Sequence, residues 1–262
     1  MTEFLDNYKP LKPLIFDSHS HYDDSKFDGV RDELLSSLPQ HGVGRVITCG
    51  CDLKSSKAAI SLAQRYDYIY CAVGIHPENL ESKTTVEEIE KLAAHKKVAA
   101  IGEIGLDYYY CRENRSEQLY FFEQQIILSK KLELPVIVHD REAHSDTLEI
   151  LKKHKPRGVV HCFSGSAQMA EEILKIGMYI GVGGVITFKN SKKLPEVVKM
   201  LPPDRMLIET DCPYLAPEPY RGKLCHSGMI ALTAEKIAEI RGCTAEEVLK
   251  QTYLNAQKLF CL

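Results

Sequence analysis

Two histidines separated by a single residue, His19 and His21, follow an apolar run at residues 14–16. Side chains alternate between the two faces of an extended strand, so residues two positions apart point the same way. The two imidazoles are therefore expected side by side at the end of a strand. This arrangement suits the binding of one divalent metal ion.

Four further potential metal ligands occur later in the chain, each at the C-terminal end of its own short apolar run. They add two imidazoles and two carboxylates to the histidine pair: Glu103, His139, His161 and Asp211. A lone histidine or carboxylate at such a position usually has a structural role, but six at equivalent positions indicate a common site. Six ligands exceed the four of a tetrahedral zinc site, which predicts two ions that share a bridging carboxylate.

Glu103 lies in the middle of this ligand set and is the natural bridge. The first ion is assigned to the histidine pair, Glu103 and Asp211. The second ion is assigned to Glu103, His139 and His161. Two ions about 3.5–4 Å apart can activate a shared water and stabilise a leaving oxygen. Asp211 can contact both a metal and the nucleophile, so we expect Asp211 to accept the proton of that water.

The apolar runs recur at a fairly even spacing and are rich in Val and Ile, which is typical of parallel strands buried on both faces. The predicted strands span residues 14–16, 46–49, 69–73, 98–101, 136–138, 159–160, 179–182 and 206–208. Helical patterns separate them. Thr85 and Thr244 are each followed three residues later by glutamate, which predicts helices that begin with capping boxes. Apolar periodicity predicts further helices at residues 114–133 and 167–176.

Eight strands alternating with helices over about 250 residues are typical of a (β/α)8 TIM barrel. An open doubly wound sheet is the alternative, but no glycine-rich phosphate-binding loop follows the first strand. No linker-like or low-complexity segment divides the chain, so we expect one TIM-barrel domain over residues 1–262. The C-terminal ends of barrel strands open on one face, so the six ligands would converge there.

Three other residues are candidates for substrate binding. His76, which follows the third predicted strand, could donate to substrate or support a ligand; the alternative is a turn set by Pro77. Arg141 lies two residues after His139 and could bind an anion in bidentate fashion, or form an ordinary salt bridge. Arg221, in the loop after the eighth strand, could bind a phosphate or be solvated.

Composition limits the partners and the compartment. The net charge of −3 gives no global attraction to nucleic acid, so local groups or metal must bind any phosphate. Nine scattered cysteines favour a reducing compartment, and we expect a cytoplasmic location. Residues 1–10 contain acidic residues and no apolar core, which does not match a signal peptide. No apolar stretch reaches about 18 residues, so no membrane span is expected. The oligomeric state is left open, and a monomer is consistent with the sequence.

The segments around the candidate ligands resemble the motifs of the TatD family of metal-dependent deoxyribonucleases. They occur in order through nearly the whole chain: DSHSH at 17–21, GIHP at 74–77, GEIGLDY at 102–108, HDREA at 139–143, HCFSG at 161–165 and ETDCPYL at 209–215. The set is highly specific, although the two-histidine opening alone is shared by many amidohydrolase barrels.

The resemblance implies a TIM barrel with two divalent ions that hydrolyses DNA phosphodiester bonds, often from the 3′ end of single strands. It also implies metal-binding roles for the six ligands and an active-site contact for His76. Glu103 stands where related amidohydrolases often have a carboxylated lysine. The chain departs from the family after residue 223, where Cys225, His226 and Ser227 replace a common Asn-Glu-Pro.

The sequence therefore predicts a metal-dependent deoxyribonuclease, a 3′–5′ exonuclease acting on single-stranded DNA or also on RNA. An amidohydrolase or lactonase acting on a small neutral substrate is the alternative, since the same metals would polarise a carbonyl. A barrel that binds nucleic acid without cleaving it is a third hypothesis. Histidine and carboxylate ligands admit Zn, Mn or Ni, and Mg suits the carboxylates but is less suited to four imidazoles. The sequence does not choose among these ions.

Overall fold

The computed structural model describes residues 14–262, which form an eight-stranded parallel sheet in which the strands follow one another in chain order. The strands are β1 Ile15–Ser20, β2 Val43–Cys49, β3 Ile69–Val73, β4 Val98–Asp107, β5 Val136–Arg141, β6 Gly158–Val160, β7 Tyr179–Val182 and β8 Met206–Ile208. Two backbone hydrogen bonds connect the first strand to the segment after the last. Asp211 N–H donates to the His19 carbonyl at 3.0 Å, and His21 N–H donates to the Cys212 carbonyl at 2.7 Å. The predicted TIM barrel is confirmed.

Each of the eight predicted strands coincides with an observed strand, but several boundaries were wrong. His19, Glu103 and His139 lie inside β1, β4 and β5, not after them. Asp211 lies three residues beyond the end of β8, not at its end. Apolar periodicity detects only the apolar part of a strand, whereas backbone pairing with neighbouring strands continues through the polar residues. For example, Asp107 of β4 still pairs with Arg141 of β5.

Helices alternate with the strands and cover the outside of the barrel. They are α1 Arg31–Ser37, α2 Leu53–Arg65, α3 Val86–Ala93, α4 Arg115–Lys131, α5 His144–His154, α6 Ala167–Ile176, α7 Lys193–Met200, α8 Ile230–Arg241 and α9 Ala245–Phe260. Short 3₁₀ turns lie at Ser25–Phe27, Leu38–His41, Pro77–Ser82, Arg112–Asn114, Gly184–Thr187, Pro203–Arg205 and Ser227–Met229. Both predicted capping boxes are confirmed, since Thr85 and Thr244 accept the expected backbone N–H at the start of α3 and α9.

Buried apolar side chains fill the barrel interior. Phe16, Ile47, Ile137 and Leu207 come from different strands and form one cluster. The C-terminal residues of α9 complete this cluster, and Phe260 stacks on Phe16 with ring centroids 5.8 Å apart. Because the interior is packed, substrate can reach the barrel only at an end, and the polar side chains lie at the C-terminal ends of the strands.

Two pairing irregularities occur beside predicted ligands. The register between β1 and β2 shifts between Asp17 and Ser20, and that between β4 and β5 shifts between Ile101 and Ile104. Such bulges re-aim a side chain and are common next to active sites. They lie at His19 and at Glu103, whose carboxylate points to the centre of the site described below.

Two further expectations from the sequence concern membrane spans and the state of the cysteines. Within residues 14–262, every helix is too short or too polar to cross a bilayer. All nine cysteines are free thiols. The prediction about residues 1–10 lies outside the part of the chain that the structure describes.

Candidate metal centre

A cavity of about 780 Å³ opens at the C-terminal ends of the strands. Five of the six predicted ligands line it: His21, Glu103, His139, His161 and Asp211. The sixth, His19, is fully buried beneath them, and its ring stacks on that of His161 at 3.8 Å between centroids. The barrel thus brings together all six residues that the sequence selected.

Glu103 lies at the centre of this site, and its two carboxylate oxygens face different imidazoles. Oε2 lies 3.4 Å from Nε2 of His19 and 3.3 Å from Nε2 of His21. Oε1 lies 3.0 Å from Nδ1 of His139 and 2.6 Å from Nε2 of His161. A carboxylate that bridges two cations requires one oxygen toward each, and Glu103 has this arrangement.

Asp211 completes the first of these two groups. Its Oδ1 lies 3.5 Å from Nε2 of both His19 and His21, and those two nitrogens are 3.0 Å apart. The two rings therefore point the same way, as the spacing of two residues predicted. Asp211 adopts a left-handed backbone conformation with φ of 62°, which turns its carboxylate into the cavity.

Hydrogen bonds on the far side of the rings set the orientation of two histidines. His21 Nδ1 donates to the Cys49 carbonyl at 3.0 Å, so Nε2 is left toward Glu103. His139 Nε2 lies 3.0 Å from Oδ2 of Asp107, so Nδ1 is left toward Glu103. Ligand histidines in metalloproteins are commonly oriented by a carbonyl or carboxylate in this way.

The electrostatics of the site keep the carboxylates of Glu103 and Asp211 ionised. Burial raises the pKa of Glu103, but the surrounding imidazoles, with His161 first and the His139 hydrogen bond among them, together outweigh burial and hold the pKa well below its usual range. Burial raises the pKa of Asp211, but its hydrogen bond to His21 and the nearby imidazoles of His19 and His161 together outweigh burial, so the pKa is lowered. Burial lowers the pKa of His19 to about 4, so this imidazole is neutral and can act as a ligand.

The donor set fits divalent cations. The donor atoms of His19, His21 and Asp211 lie within 4.8 Å of one another, as do those of His19, Glu103 and His161. Neutral imidazoles and ionised carboxylates are ligands for Zn and Mn, and carboxylates also for Mg. Without cations, this concentration of buried ionisable groups would be costly to maintain.

His76 lies beside the ligands but differs from them in its hydrogen bonding. Its Nδ1 accepts the backbone N–H of Glu78 at 3.2 Å, so the neutral ring carries its proton on Nε2. This Nε2 lies 3.5 Å from Oε1 of Glu103. Burial lowers the pKa of His76, so the neutral form is favoured. His76 is therefore a donor that faces the cavity, in keeping with the expected substrate or supporting contact.

The two candidate arginines occupy different places. Arg141 lines the cavity, and within residues 14–262 no carboxylate lies within ion-pair distance of its guanidinium. Arg221 does not line the cavity. It is exposed, and its guanidinium lies over the ring of Phe188 at 4.4 Å. His226, which replaces a family residue, is buried and also lies outside the lining.

The sequence model of the family described as TatD related DNase matches residues 16–261. The chain belongs to this family. The match includes every candidate ligand, seven complete strands of the barrel and all of β1 except Ile15.

Individual relatives agree with this assignment. The uncharacterized metal-dependent hydrolase YabD of Bacillus subtilis is 40% identical over 252 residues, covering 94% of this chain and 99% of YabD. The 3′-5′ ssDNA/RNA exonuclease TatD of Erwinia tasmaniensis is 32% identical and covers 95% of this chain and 100% of that protein. The crystal structure of the TatD homolog YjjV from Escherichia coli has a TM-score of 0.89 at 32% identity, covering 95% of this chain and 99% of YjjV.

Sequence reasoning missed two buried carboxylates of this TatD-family site. Asp107 lies four residues after Glu103 on the same strand, and Glu209 lies two residues before Asp211. Glu209 accepts the Cys162 backbone N–H and the Ser18 hydroxyl. Burial raises the pKa of Glu209 to about 7. For Asp107, the even spacing from Glu103 on one strand was the signal that could have identified it. No such signal existed for Glu209, because Asp211 lies beyond β8 in a left-handed conformation.

Asp17, part of the first motif, supports the site from behind. It is fully buried, and its carboxylate accepts the Thr210 backbone N–H at 3.1 Å and the Thr210 hydroxyl at 2.7 Å. It also accepts the Ser227 hydroxyl at 2.7 Å. Asp17 thus ties β1 to the residue that precedes Asp211 and helps to place that ligand.

Proposed function

We propose that this TatD-family hydrolase removes nucleotides from the 3′ end of single-stranded DNA, and of RNA, as a single-domain metal-dependent exonuclease. The observation that carries the proposal is the division of the Glu103 carboxylate between two groups of imidazoles in an open cavity. The choice of nucleic acid is supported by the name of the family, TatD related DNase, and by the name of the Erwinia relative, 3′-5′ ssDNA/RNA exonuclease TatD.

Two divalent ions are the proposed cofactors. Glu103 would bridge them. The other ligands of one ion would be His19, His21 and Asp211, and those of the other His139 and His161. When bound, such ions polarise a phosphoryl oxygen and lower the pKa of a water molecule. Four imidazoles favour Zn or Mn over Mg.

The side chains of the chain would divide the remaining work. Asp211 is ionised and partly exposed in the cavity, so its carboxylate can accept the proton of the attacking water. His76 carries its proton on Nε2 and can donate it to a phosphate oxygen. The guanidinium of Arg141 faces the same cavity and can bind a phosphate through two N–H groups.

One observation favours a second candidate, an amidohydrolase or lactonase acting on a small neutral substrate. The cavity lining contains four acidic residues besides the ligands, Asp23, Asp24, Asp52 and Glu78, and one arginine. A polyanion would be repelled by this excess of negative charge unless cations or other contacts bind it.

Metal analysis combined with substrate assays tests the proposal. The purified protein is assayed for bound Zn, Mn and Mg, then stripped and reloaded. Each form is given an end-labelled single-stranded oligonucleotide and a panel of lactones and cyclic amides. We expect about two ions per chain and metal-dependent shortening from the labelled strand's 3′ end. Hydrolysis of the neutral panel without cleavage of the oligonucleotide would instead support the second candidate.

The variant Glu103→Gln is the matched test of the ligand that carries the proposal. It keeps the side-chain volume but removes the charge, so we expect loss of bound metal and of hydrolysis with an unchanged circular dichroism spectrum. Glu117→Gln, at an exposed position on α4, is the control. Wild-type activity in Glu103→Gln would contradict the proposal.

We further propose a monomer in the cytoplasm. Nine free cysteines support a reducing compartment.

A further inference from the structure

Exposed tyrosines surround the mouth of the candidate cavity. Tyr110 and Tyr214 line it and are 56% and 43% exposed, and Tyr109, next to the first of them, is 55% exposed. Only six large apolar or aromatic side chains among residues 14–262 are exposed to this degree, and these three are half of them. Exposed aromatic side chains gathered at one place indicate a binding surface.

One wall of the mouth is built from Tyr109, Tyr110 and Arg141. The guanidinium of Arg141 lies over both rings, at 4.2 Å from the centroid of Tyr109 and 4.5 Å from that of Tyr110. Oδ1 of Asp107 accepts the backbone N–H groups of both tyrosines, at 2.9 and 2.7 Å. Asp107 also contacts His139 through its other oxygen. Hydrogen bonds through Asp107 therefore connect this wall to His139, one of the candidate ligands.

Tyr214 forms the other wall. Its hydroxyl donates to Asp24 at 2.7 Å, and Nζ of Lys26 lies over its ring at 3.8 Å from the centroid. Its backbone N–H donates to the Asp211 carbonyl at 3.1 Å. The ring is thus fixed in place and joined directly to a second ligand.

The two walls lie on opposite sides of the site. Tyr110 follows β4 and Tyr214 follows β8, and the fourth and eighth strands of an eight-stranded barrel are diametrically opposed. The carboxylate of Glu103 lies at the centre of the ligand set, in contact with imidazoles from both sides of the barrel. A chain molecule that crosses the mouth would contact one ring before the central carboxylate and the other ring after it.

The negative charge of the mouth indicates that these rings contact the bases of the substrate and not its phosphates. Four acidic side chains of the lining disfavour binding through a phosphate backbone alone. Unpaired bases are uncharged and have π faces, and they stack on aromatic side chains with little preference for sequence. Bases within a duplex are already stacked and paired, so they are not available to such walls.

We propose that Tyr110 and Tyr214 are base-stacking platforms, which bind two nucleotides of single-stranded nucleic acid on either side of the Glu103 carboxylate. This inference rests on the proposed nuclease function and adds the groups that recognise the substrate. Arg141 would then serve twice, since it orients the Tyr110 ring and presents its N–H groups to the intervening phosphate.

Steady-state kinetics on a single-stranded oligonucleotide test the proposal. Tyr110→Ala and Tyr214→Ala are each expected to raise KM about 5- to 150-fold, the range that the loss of one stacked base produces, with a smaller effect on kcat. Tyr110→Phe keeps the ring, so its KM should stay close to the wild-type value. The control is Tyr120→Ala on α4, which removes a tyrosine that is 59% exposed but does not line the cavity.

A stacking signal measured without cleavage separates this inference from the proposed function. Metal-loaded protein is titrated into an oligonucleotide with cleavage-resistant linkages that carries 2-aminopurine at its 3′ end, whose fluorescence falls when the base stacks. We expect quenching with the wild-type protein and with Tyr120→Ala, and a clear reduction with Tyr110→Ala or Tyr214→Ala.

The outcomes discriminate clearly. Quenching without cleavage under any metal would overturn the nuclease proposal but would support the stacking roles of Tyr110 and Tyr214. Cleavage with unchanged KM and unchanged quenching in both alanine variants would overturn the platforms and leave the nuclease proposal in place. Absence of both binding and cleavage would overturn both.

Discussion

At the scale of single residues, the orientation of each imidazole decides what it can do. His139 has Asp107 on one nitrogen and Glu103 on the other, so its ring is fixed with one nitrogen toward the central carboxylate. His76 also faces Glu103, at 3.5 Å, but it accepts a backbone N–H on Nδ1 and is left with a proton on Nε2. Residue type alone does not distinguish these two histidines, whereas the hydrogen bonds leave His139 with a nitrogen toward Glu103 and His76 with an N–H.

The variant Asp107→Asn tests the orienting role at this scale. The carboxylate raises the basicity of His139, whose pKa stands at about 10 because Asp107 and Glu103 outweigh the effect of burial. An amide removes the charge, so we expect metal affinity to fall by about 10- to 100-fold. Isothermal titration with Zn or Mn measures this affinity, and Asp67→Asn, at an exposed site, is the control. Equal affinities in wild type and Asp107→Asn would show that the contact does not orient the ligand.

At the scale of elements, β4 carries more of the site than its apolar run predicts. The run ends at residue 101, but the strand continues to Asp107 and includes Glu103. Gly105 has a φ of 147°, and a Cβ added there would collide with the carbonyl of His139. A glycine is thus required where β4 and β5 approach each other between two of the ligands.

Helix α4 contributes two buried amides that its periodicity did not reveal. Gln118 accepts the backbone N–H of Asp107 at 2.9 Å and donates to its carbonyl at 3.0 Å. Gln125, seven residues later on the same face, binds both backbone groups of Ile75 in the same way. Pattern reading places glutamines on the solvent side, but here they fix the backbone beside Asp107 and His76.

The capping box of α9 allows a prediction about pH at the element scale. The Glu247 carboxylate accepts hydrogen bonds from the backbone N–H and the hydroxyl of Thr244. Both bonds lower the pKa of Glu247 below the ordinary 4.5, and the backbone bond has the larger effect. A group whose pKa is lowered on folding stabilises the fold above its unfolded pKa, and this contribution is lost as the pH falls through the folded pKa.

Glu247→Ala should therefore be less stable than wild type near neutral pH, and the difference should shrink as the pH falls below 4.5. Urea unfolding at a series of pH values measures it. Glu246→Ala, at the neighbouring exposed position in the same first turn, is the control. If the difference in free energy of unfolding between Glu247→Ala and wild type did not change with pH, the charge of Glu247 would have no part in the cap.

At the scale of the whole molecule, the site connects distant parts of the barrel and bound metal should stabilise all of it. A ligand that binds only the folded state adds about 4 kcal/mol when its concentration is about 1,000 times its Kd. Chelation should therefore lower the melting temperature reversibly. In Glu103→Gln, the same treatment should have a much smaller effect. Identical melting curves with and without chelator in the wild-type protein would contradict a metal centre built from these residues.

The sequence by itself determined the fold class and the ligand candidates. Apolar runs are a local property, so they located all eight strands, and ligand types at the ends of those runs selected six residues that the barrel brings together. The same local signals misplaced the ends of β1, β4 and β5, because polar residues continue a strand when neighbouring strands pair with them.

Only the tertiary structure decided how those residues work together. Three features depend on segments far apart in the chain. The two oxygens of Glu103 face different imidazoles, Asp17 supports the segment that carries Asp211, and Arg221 lies outside the cavity lining. The tyrosine walls, which follow β4 and β8, also depend on such segments. Barrel closure joins such segments through backbone pairing and packing, and no spacing within one segment encodes which distant side chain will face it.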